Sequence, residues 1–294
     1  MIFGHLPDHL ILFPTRSPID AGGAVRRTIP FENGDLEIWT AQSQLARQKG
    51  RADVFILRFY GNADRADRWP ALEAEMWNDR AVEIWGMNYP GFGGSTGPAR
   101  LARVGPAAVA AFDELRREAV DAPIVAYGTS IGATAALHVA VSRPTEIAGL
   151  ILQNPPPLRE MILRQFGWWN LWLLAAPVAL QIPRDLDCIG NARVSRAPAI
   201  FLLAERDEIV APRFHRLVVE AYAGEKLNVS LLDSGVYDNS RYDQIKSWLL
   251  IRKEVATNHE DYTISEVEQM LKFYGFRGRE TQSELNLRDT LSVN

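Results

Sequence analysis

Short apolar runs rich in β-branched and aromatic residues alternate with longer helix-patterned segments through most of this chain. Strands buried on both faces read as continuous apolar runs, and their alternation with helices indicates parallel crossover connections. The predicted strands cover residues 54–60, 81–85, 123–127, 147–152, 199–203 and 227–232. The predicted helices cover residues 69–78, 101–118, 131–142, 212–223 and 241–253. The pattern predicts an α/β protein with a doubly wound, mostly parallel sheet.

The chain enters this sheet through a predicted hairpin. Two strand-like runs, residues 26–31 and 36–41, flank the tetrapeptide Glu32-Asn33-Gly34-Asp35. Asn-Gly between two such runs is a strong hairpin signal, because both residues accept positive φ. The sequence therefore predicts an antiparallel hairpin at the start of the sheet.

Residues 155–197 interrupt the alternation, because no clean strand is found between the two strands that flank them. An insertion of this length is usually functional, and we predict a helical cap over the site. Its tryptophans are Trp168, Trp169 and Trp172, which either line a substrate pocket or anchor the cap to the core. The predicted organisation is an N-terminal extension (1–25), a core that includes the insertion (26–255) and a C-terminal extension (256–294).

Composition excludes several classes of function. Of the 294 residues, 47% are hydrophobic and 23% charged, which is ordinary for a globular protein. The net charge is −4 and the sequence contains no stripe of basic residues, so the charge pattern does not indicate a nucleic-acid-binding surface. The longest apolar stretch, residues 166–182, is broken by Asn170 and Pro177 and makes a poor membrane span. Cys188 is the only cysteine, which excludes an intramolecular disulfide and a cysteine-based metal cluster and fits a cytoplasmic location. We expect no metal and no cofactor.

The segment Gly128-Thr129-Ser130-Ile131-Gly132 joins a predicted strand to a predicted helix. This is a G-x-S-x-G motif in the strand–turn–helix setting of a nucleophile elbow, the sharp turn that exposes a serine. Glycines at the two ends of the motif let the strand and helix pass closely. The helix that follows directs its free N–H groups at the serine, where they can stabilise negative charge. We predict that Ser130 is a nucleophile on a strained, positive-φ turn.

Four segments, in this order, resemble the serine-hydrolase branch of the α/β-hydrolase superfamily, in its small bacterial members. They are residues 59–63 (Phe-Tyr-Gly-Asn-Ala), 88–97 (Asn-Tyr-Pro-Gly-Phe-Gly-Gly-Ser-Thr-Gly), the motif at 128–132, and 205–212 (Glu-Arg-Asp-Glu-Ile-Val-Ala-Pro). The first is similar to the family's His-Gly-Asn-Ala oxyanion loop, and the last to its Asp-x-x-Val-x-Pro segment. The resemblance covers roughly residues 26–248 and implies the α/β-hydrolase fold.

The resemblance also implies roles for single residues. The backbone N–H groups of Ile131 and Asn62 would hold the oxyanion of a tetrahedral intermediate, and Asp207 would be the acid of a catalytic triad. Tyr60 stands where the family has a histidine that supports the loop, and we also assign it to the substrate pocket. Residue type alone leaves another interpretation of Asp207, because an acidic residue before a helix is often an N-cap or a solvated charge.

The histidine of such a triad should follow the last strand, but residues 233–239 read Asp-Ser-Gly-Val-Tyr-Asp-Asn. Tyr237 falls closest to the histidine position, with Val236 one residue away, and a tyrosine with a pKa near ~10 is a weak base at neutral pH. His138 lies ~12 Å along the helix from Ser130, too far to take its proton. The other histidines are His5, His9, His259 and His215, of which the last is the least remote and is interpreted as a surface helix residue.

Two hypotheses for the function follow. The first is a serine hydrolase that cleaves small esters, thioesters or amides through an acyl-enzyme on Ser130, weakened by the missing base. The second is a non-catalytic protein of the same fold that binds a small apolar ligand or a partner protein. They differ in whether the chain turns over a short-chain nitrophenyl ester.

Overall fold

The computed structural model describes residues 6–62, 64–77, 79–166, 172–204, 207 and 209–231. Several features predicted from the sequence lie outside these residues. They are Tyr237, the helix at 241–253, the C-terminal extension, and the tryptophans Trp168 and Trp169.

One sheet of eight strands forms the centre of the described part of the chain. The strands are β1 (Val25–Phe31), β2 (Gly34–Gln42), β3 (Val54–Phe59), β4 (Val82–Met87), β5 (Ile124–Thr129), β6 (Gly149–Gln153), β7 (Ala199–Ala204) and β8 (Lys226–Leu231). Their order in space is β1-β2-β4-β3-β5-β6-β7-β8. The first two pairs are antiparallel and the other five are parallel. The predicted mostly parallel sheet with an N-terminal antiparallel hairpin is confirmed.

Helices pack on both faces of this sheet. They are α1 (Leu6–Ile11), α2 (Gln44–Lys49), α3 (Pro70–Glu75), α4 (Leu101–Ala119), α5 (Ile131–Ser142), α6 (Leu158–Phe166), α7 (Trp172–Leu180), α8 (Cys188–Val194) and α9 (Pro212–Ala221). On one face α4, α5, α8 and α9 lie side by side, in that order. On the other, Trp77, which follows α3, lies in one buried apolar cluster with Ile56 and Val125 of the central strands.

Burial explains why the strands could be recognised as apolar runs. Every residue of β4, β5 and β6 is buried, so neither face of these strands requires polar side chains. Alternate residues serve the two cores: Leu57 and Ala126 lie in one cluster with Phe112 of α4, whereas their neighbours Ile56 and Val125 lie in the other.

The N-terminal hairpin has the expected position but a different turn. Phe31 pairs with Gly34, so the two central residues of the turn are Glu32 and Asn33 rather than Asn33 and Gly34. Glu32 carries the positive φ, at 51°. The Asn-Gly signal therefore located the turn correctly, but Gly34 is already the first residue of β2.

The described part of the N-terminal segment, from residue 6 onward, packs onto the core. Leu12, which follows α1, is buried in the larger apolar cluster. The backbone N–H of Gly93 donates to Thr15 O at 2.9 Å, and the N–H of Leu101, at the start of α4, donates to Asp8 Oδ1 at 2.8 Å. The segment predicted as an N-terminal extension thus contributes to the core in its described part.

The predicted cap insertion is helical, but only part of it can form a cap. α8 packs against α5 and α9, and a short 3-10 helix, Arg184–Leu186, packs against α4 and α5. This later half belongs to the helical layer on the sheet, so a cap is restricted to the paired helices α6 and α7. Arg159 of α6 binds Asp187 at 2.8 Å and thereby ties α6 to that layer. That α6 and α7 cover the site stays a prediction.

Glu37 of β2 holds the glycine-rich loop at residues 88–97. Its carboxylate accepts hydrogen bonds from Arg26, from Asn88 Nδ2 at 2.7 Å and from the backbone N–H of Gly94 at 2.7 Å. Burial alone would raise the pKa of this carboxyl, but the hydrogen bonds from Gly94, Arg26 and Asn88 outweigh burial and hold it below its ordinary value. The loop is therefore fastened to the sheet by an ionised group.

Glu37→Gln should lower stability at neutral pH by about 1.5–3 kcal/mol, because bonds to a charged acceptor are lost. A lowered pKa in the folded state adds stability above the ordinary value near 4.5, and this stability is lost as the pH falls through the lowered value. Urea denaturation should therefore show the two proteins converging in acid. Glu118→Gln, at an exposed carboxylate, is the control and should match the wild type. A pH-independent difference would contradict the assignment of the effect to charge.

Candidate active site

Ser130 lies on the turn between β5 and α5, at the carboxyl edge of the sheet. Its backbone has φ 51° and ψ −124°, a conformation that costs a non-glycine residue of the order of 1–3 kcal/mol. The positive φ expected of an elbow serine is confirmed. The backbone N–H of Ser130 donates to Gln153 O at 2.8 Å, which fastens the turn to the end of β6.

Both glycines of the motif are required by close backbone contacts. A Cβ atom on Gly128 would lie 2.1 Å from Gly132 O, across the turn itself. A Cβ atom on Gly132 would lie 2.2 Å from Phe59 O, at the end of β3. No side chain fits at either position, because the obstructing atoms belong to the backbone of the turn and of a central strand.

The loop that follows β3 (the β3 loop, described at residues 60–62, 64 and 65) approaches Ser130 at Gly61. A Cβ atom on Gly61 would lie 3.7 Å from Ser130 Cβ. Asn62 follows directly, and its side chain bonds to residues near the start of the chain: Phe13 N–H donates to Asn62 Oδ1 at 2.9 Å, and Asn62 Nδ2 donates to Ile11 O. On the other side of Ser130, Ile131 opens α5, where the first N–H groups of a helix have no intrahelical acceptor.

Tyr60 supports the β3 loop from the side of the protein core. Its side chain is 2% exposed, and its hydroxyl donates to Glu73 Oε2 at 3.2 Å. Glu73 Oε1 also pairs with Arg58 Nε at 3.0 Å, and both of these charged side chains are buried. Tyr60 therefore lies within the core, which is at odds with the prediction that it lines a substrate pocket, because its hydroxyl is engaged by a buried carboxylate.

The same buried network reaches the strand that carries Ser130. Arg58 Nη2 donates to Thr129 Oγ1 at 2.8 Å, and the guanidinium lies 3.7 Å from the ring centroid of Tyr127. Gln153 Oε1 accepts from the hydroxyls of Thr129 and Tyr127 at 3.1 and 3.0 Å. β3, β5 and β6 are thus joined by side chains directly beneath the turn.

Asp207 follows β7 by three residues and is 6% exposed. Its Oδ1 accepts the backbone N–H groups of Ile209 and Val210, each at 2.8 Å. The N-cap residue of α9 is Ala211, so Asp207 is neither a helix cap nor a solvated charge. Burial alone would raise the pKa of Asp207, but His215 and the two N–H groups outweigh burial and hold it below its ordinary value.

His215 lies beside Asp207. Its side chain is 1% exposed, so the interpretation as a surface residue is wrong. Its Nε2 is 3.5 Å from Asp207 Oδ2, and its Nδ1 is 3.4 Å from Pro155 O. The burial of His215 could have been predicted from the sequence, because Val218 and Val219 follow it at helical spacing and share the buried face of α9.

Strand register brings the candidate residues to one edge. Thr129 pairs with Gln153, and Gln153 pairs with Leu202. Because neighbouring strands are about 4.8 Å apart, the ends of β5 and β7 are separated by about 10 Å. Ser130 directly follows the first of these ends and Asp207 follows the second. The expectation that they leave the sheet at the same edge is confirmed.

Asn154 is a buried polar residue at this edge that sequence reasoning missed. It follows β6 with φ 48°, and its Oδ1 accepts the N–H of Ala204 at 2.8 Å. Its Nδ2 finds no acceptor among the described residues. The hydrogen bond from Ala204 to the Asn154 side chain joins the end of β6 to the end of β7, the strand that leads to Asp207.

The other described histidines and the cysteine lie apart from Ser130 in the sequence and are held in other surroundings. His138, on α5, is near Ser142, and burial lowers its pKa despite the opposing charge of Asp185. His9 is exposed on α1. Cys188 is buried, and burial raises the pKa of its thiol, so a reactive thiolate is disfavoured.

Comparison with known proteins agrees with this geometry. The sequence model of the alpha/beta hydrolase family matches residues 38–277. The chain belongs to the alpha/beta hydrolase family. In the described ranges, no three or more His, Cys, Asp or Glu side chains come together as metal ligands, and no helix there is long and apolar enough to cross a bilayer.

Relatives in the family are distant. Protein bem46 of Schizosaccharomyces pombe is 26% identical over 160 residues, which are 53% of this chain and 52% of that protein, so the match spans about half its length. Est1E from Butyrivibrio proteoclasticus, with ferulic acid bound, has a TM-score of 0.62 at 15% identity, over 78% of this chain and 99% of that one. The esterase Pf2001 from Pyrococcus furiosus has a TM-score of 0.57 at 15% identity, over 90% and 97%. These structures share the fold with this chain.

Proposed function

We propose that this chain is a weak serine hydrolase that cleaves esters, thioesters or small amides of small molecules, with Ser130 as the nucleophile. The observation that supports this most strongly is the backbone of Ser130, with φ 51° on the turn between β5 and the N-terminus of α5. A serine in this conformation and place is what a nucleophile elbow requires. Gly128 and Gly132 permit this turn, because a Cβ atom on them would lie 2.1 and 2.2 Å from a backbone oxygen.

In this proposal Ser130 Oγ attacks the carbonyl carbon and forms a bond to it. The electron pair of the carbonyl moves to its oxygen, where the N–H groups of Ile131 and Asn62 stabilise the negative charge. Collapse breaks the bond to the leaving group, which departs with the serine proton. Water then attacks the carbonyl carbon of the acyl-serine, the bond to Ser130 Oγ breaks, the carboxylic acid departs, and a proton of the water restores the serine hydroxyl. Asp207 is the acid that would orient a base, and its lowered pKa keeps it ionised at neutral pH.

The low rate in this proposal follows from the lack of an assigned general base for Ser130. Among the described residues, His215 Nδ1 lies 3.4 Å from Pro155 O, and His215 Nε2 lies 3.5 Å from Asp207 Oδ2 without a hydrogen bond, so this proposal does not assign His215 as the base. Tyr237 is the residue that falls closest to the family's histidine position in the sequence, with Val236 one residue away. A serine hydroxyl without a base is a poor nucleophile at neutral pH, and losing the base costs orders of magnitude in rate.

Ser130→Ala tests the proposal. We expect the wild type to hydrolyse p-nitrophenyl acetate slowly and to react slowly with a fluorophosphonate probe, and Ser130→Ala to lose both activities. Ser142→Ala, at the far end of the same helix, is the matched control and should behave as the wild type. A wild type that forms no adduct, or an alanine variant that still turns over the ester, would overturn the proposal.

The sequence that follows β8 favours a second candidate, because residues 233–239 contain no histidine. In this case the chain binds a small apolar molecule without turning it over, in a pocket to which Trp168, Trp169 and Trp172 contribute. Quenching of tryptophan fluorescence by an ester that is not consumed would favour binding over hydrolysis. Under either candidate we propose a cytoplasmic location, which the single, buried Cys188 fits.

A further inference from the structure

We propose that residues 8–17, here called the N-terminal clamp, position the oxyanion donor of Asn62. The inference rests on the proposed hydrolysis at Ser130, and it assigns a catalytic purpose to a segment that precedes the first strand of the sheet. The clamp acts through the side chain of Asn62, which makes Asn62 a positioning residue as well as the bearer of the N–H donor.

Both polar groups of the Asn62 side chain are bound by the clamp. Phe13 N–H donates to Asn62 Oδ1 at 2.9 Å, and Asn62 Nδ2 donates to Ile11 O. This pair of bonds requires one acceptor and one donor on the same short side chain. Asparagine supplies both, whereas aspartate lacks the donor and alanine lacks both.

The clamp holds the β3 loop at a second point. Arg65, three residues after Asn62, donates through Nη1 to Ser17 O and pairs with Asp67. Between these two points, the N–H of Asp64 donates to Gly61 O at 3.2 Å and closes a turn. The segment that would carry the oxyanion donor is therefore bonded to the clamp near both of its ends.

The clamp is itself immobilised by the core. Leu12 is 5% exposed within the larger apolar cluster. Arg16 Nε donates to Gly91 O at 3.0 Å, and Thr15 O accepts the N–H of Gly93 at 2.9 Å. Asp8 accepts the N–H of Leu101 at 2.8 Å. Because the clamp is fixed by the core and by the glycine-rich loop, its bonds to Asn62 transmit a fixed position to the β3 loop.

This position matters because an oxyanion donor acts only at short range. A donor must lie about 2.7–3.1 Å from the developing oxyanion, and a displacement of about 1 Å can cost about 100-fold in rate. The N–H of Asn62 belongs to the same residue as the clamped side chain. Releasing the side chain therefore loosens the donor without removing it.

Asn62→Ala separates the clamp from the donor, because alanine keeps the backbone N–H. We expect kcat for p-nitrophenyl acetate to fall about 10–100-fold with KM nearly unchanged, together with slower fluorophosphonate labelling of Ser130. Phe13→Ala is the matched control, since it removes an exposed side chain but keeps the N–H that donates to Asn62. The control should keep the wild-type kcat. Equal losses in both variants would overturn the clamp, because the ring of Phe13 would then be the important group.

Hydrogen–deuterium exchange provides a readout that does not depend on activity. In folded Asn62→Ala, the amides of residues 59–66 should exchange faster than in the wild type, while Phe13→Ala should leave them unchanged. Unaltered exchange in Asn62→Ala would overturn the clamp even if the enzyme is active. A wild type that neither turns over nor labels would overturn the proposed hydrolysis instead, and faster exchange would then still support the clamp as the element that holds this loop.

Discussion

Replacing Tyr237 with histidine should accelerate the acylation of Ser130 by about 100-fold or more, because a positioned general base contributes about 10²–10⁴ to such a step. The remaining parts of the proposed site are present in the sequence, and Asp207 is buried with a lowered pKa, so it is ionised when the imidazole must be oriented. The rate of fluorophosphonate labelling and kcat/KM for p-nitrophenyl acetate would both increase. The gained rate should rise with pH through the ordinary pKa of histidine, near ~6.5.

Three variants show whether the gain arises from a triad. Ser130→Ala and Asp207→Asn, each combined with Tyr237→His, should remove the gain, because the first lacks the nucleophile and the second lacks the ionised acid. Val236→His tests the neighbouring register and should gain less than Tyr237→His. If no histidine variant is faster while all remain folded, the binding function is favoured. A vigorous wild-type esterase that is inactivated by His215→Ala would show that the base comes from α9.

Gly132→Ala should destabilise the protein by more than about 4 kcal/mol, a loss seen only when a substitution creates a severe defect. Alanine in a helix is ordinarily better than glycine by about 1 kcal/mol, so helix propensity predicts the opposite sign. The defect is steric, because the added Cβ would lie 2.2 Å from Phe59 O and 2.8 Å from Tyr60 O. Either the central strand β3 or the helix α5 must move to relieve these contacts.

Gly61→Ala is the matched control for this prediction. Its Cβ would meet Ser130 Cβ at 3.7 Å, an ordinary van der Waals contact, and a loss of less than about 1 kcal/mol is expected, because no close contact has to be relieved. Urea denaturation of both variants and the wild type gives the comparison. A Gly132→Ala protein as stable as Gly61→Ala would contradict the close approach of α5 and β3.

The sheet could be predicted from the sequence because its central strands are buried on both faces. The apolar runs of β4, β5 and β6 alternate with helical segments, which is the pattern of a parallel sheet covered on both faces. The hairpin turn was predicted less well, since Asn33 and Gly34 are a local signal and the register of β1 against β2 depends on the whole pair of strands. The packing of the later half of the insertion against α4, α5 and α9 is a tertiary feature that local pattern does not contain.

Some residues of the candidate site have a geometry that local sequence predicts, whereas others have contacts that it does not. The positive φ of Ser130 was predictable, because glycines at fixed spacing in a strand–turn–helix segment describe one local geometry. The partners of His215 could not be predicted, because its contacts are with Asp207 and with Pro155, which is 60 residues away in the sequence. The bonds of Asn62 to Ile11 and Phe13 span 51 and 49 residues. Contacts of this kind depend on the assembled fold and have no periodic signal.

The carboxylate of Glu73 couples two other buried side chains physically. It accepts bonds from Tyr60 and from Arg58, and all three side chains are buried. Loss of Glu73 alone would leave an uncompensated interior charge on Arg58, which costs about 3–5 kcal/mol. Because Tyr60 and Arg58 share this one carboxylate, a change at Glu73 would disturb the support of the β3 loop and the charge balance beneath Ser130 together.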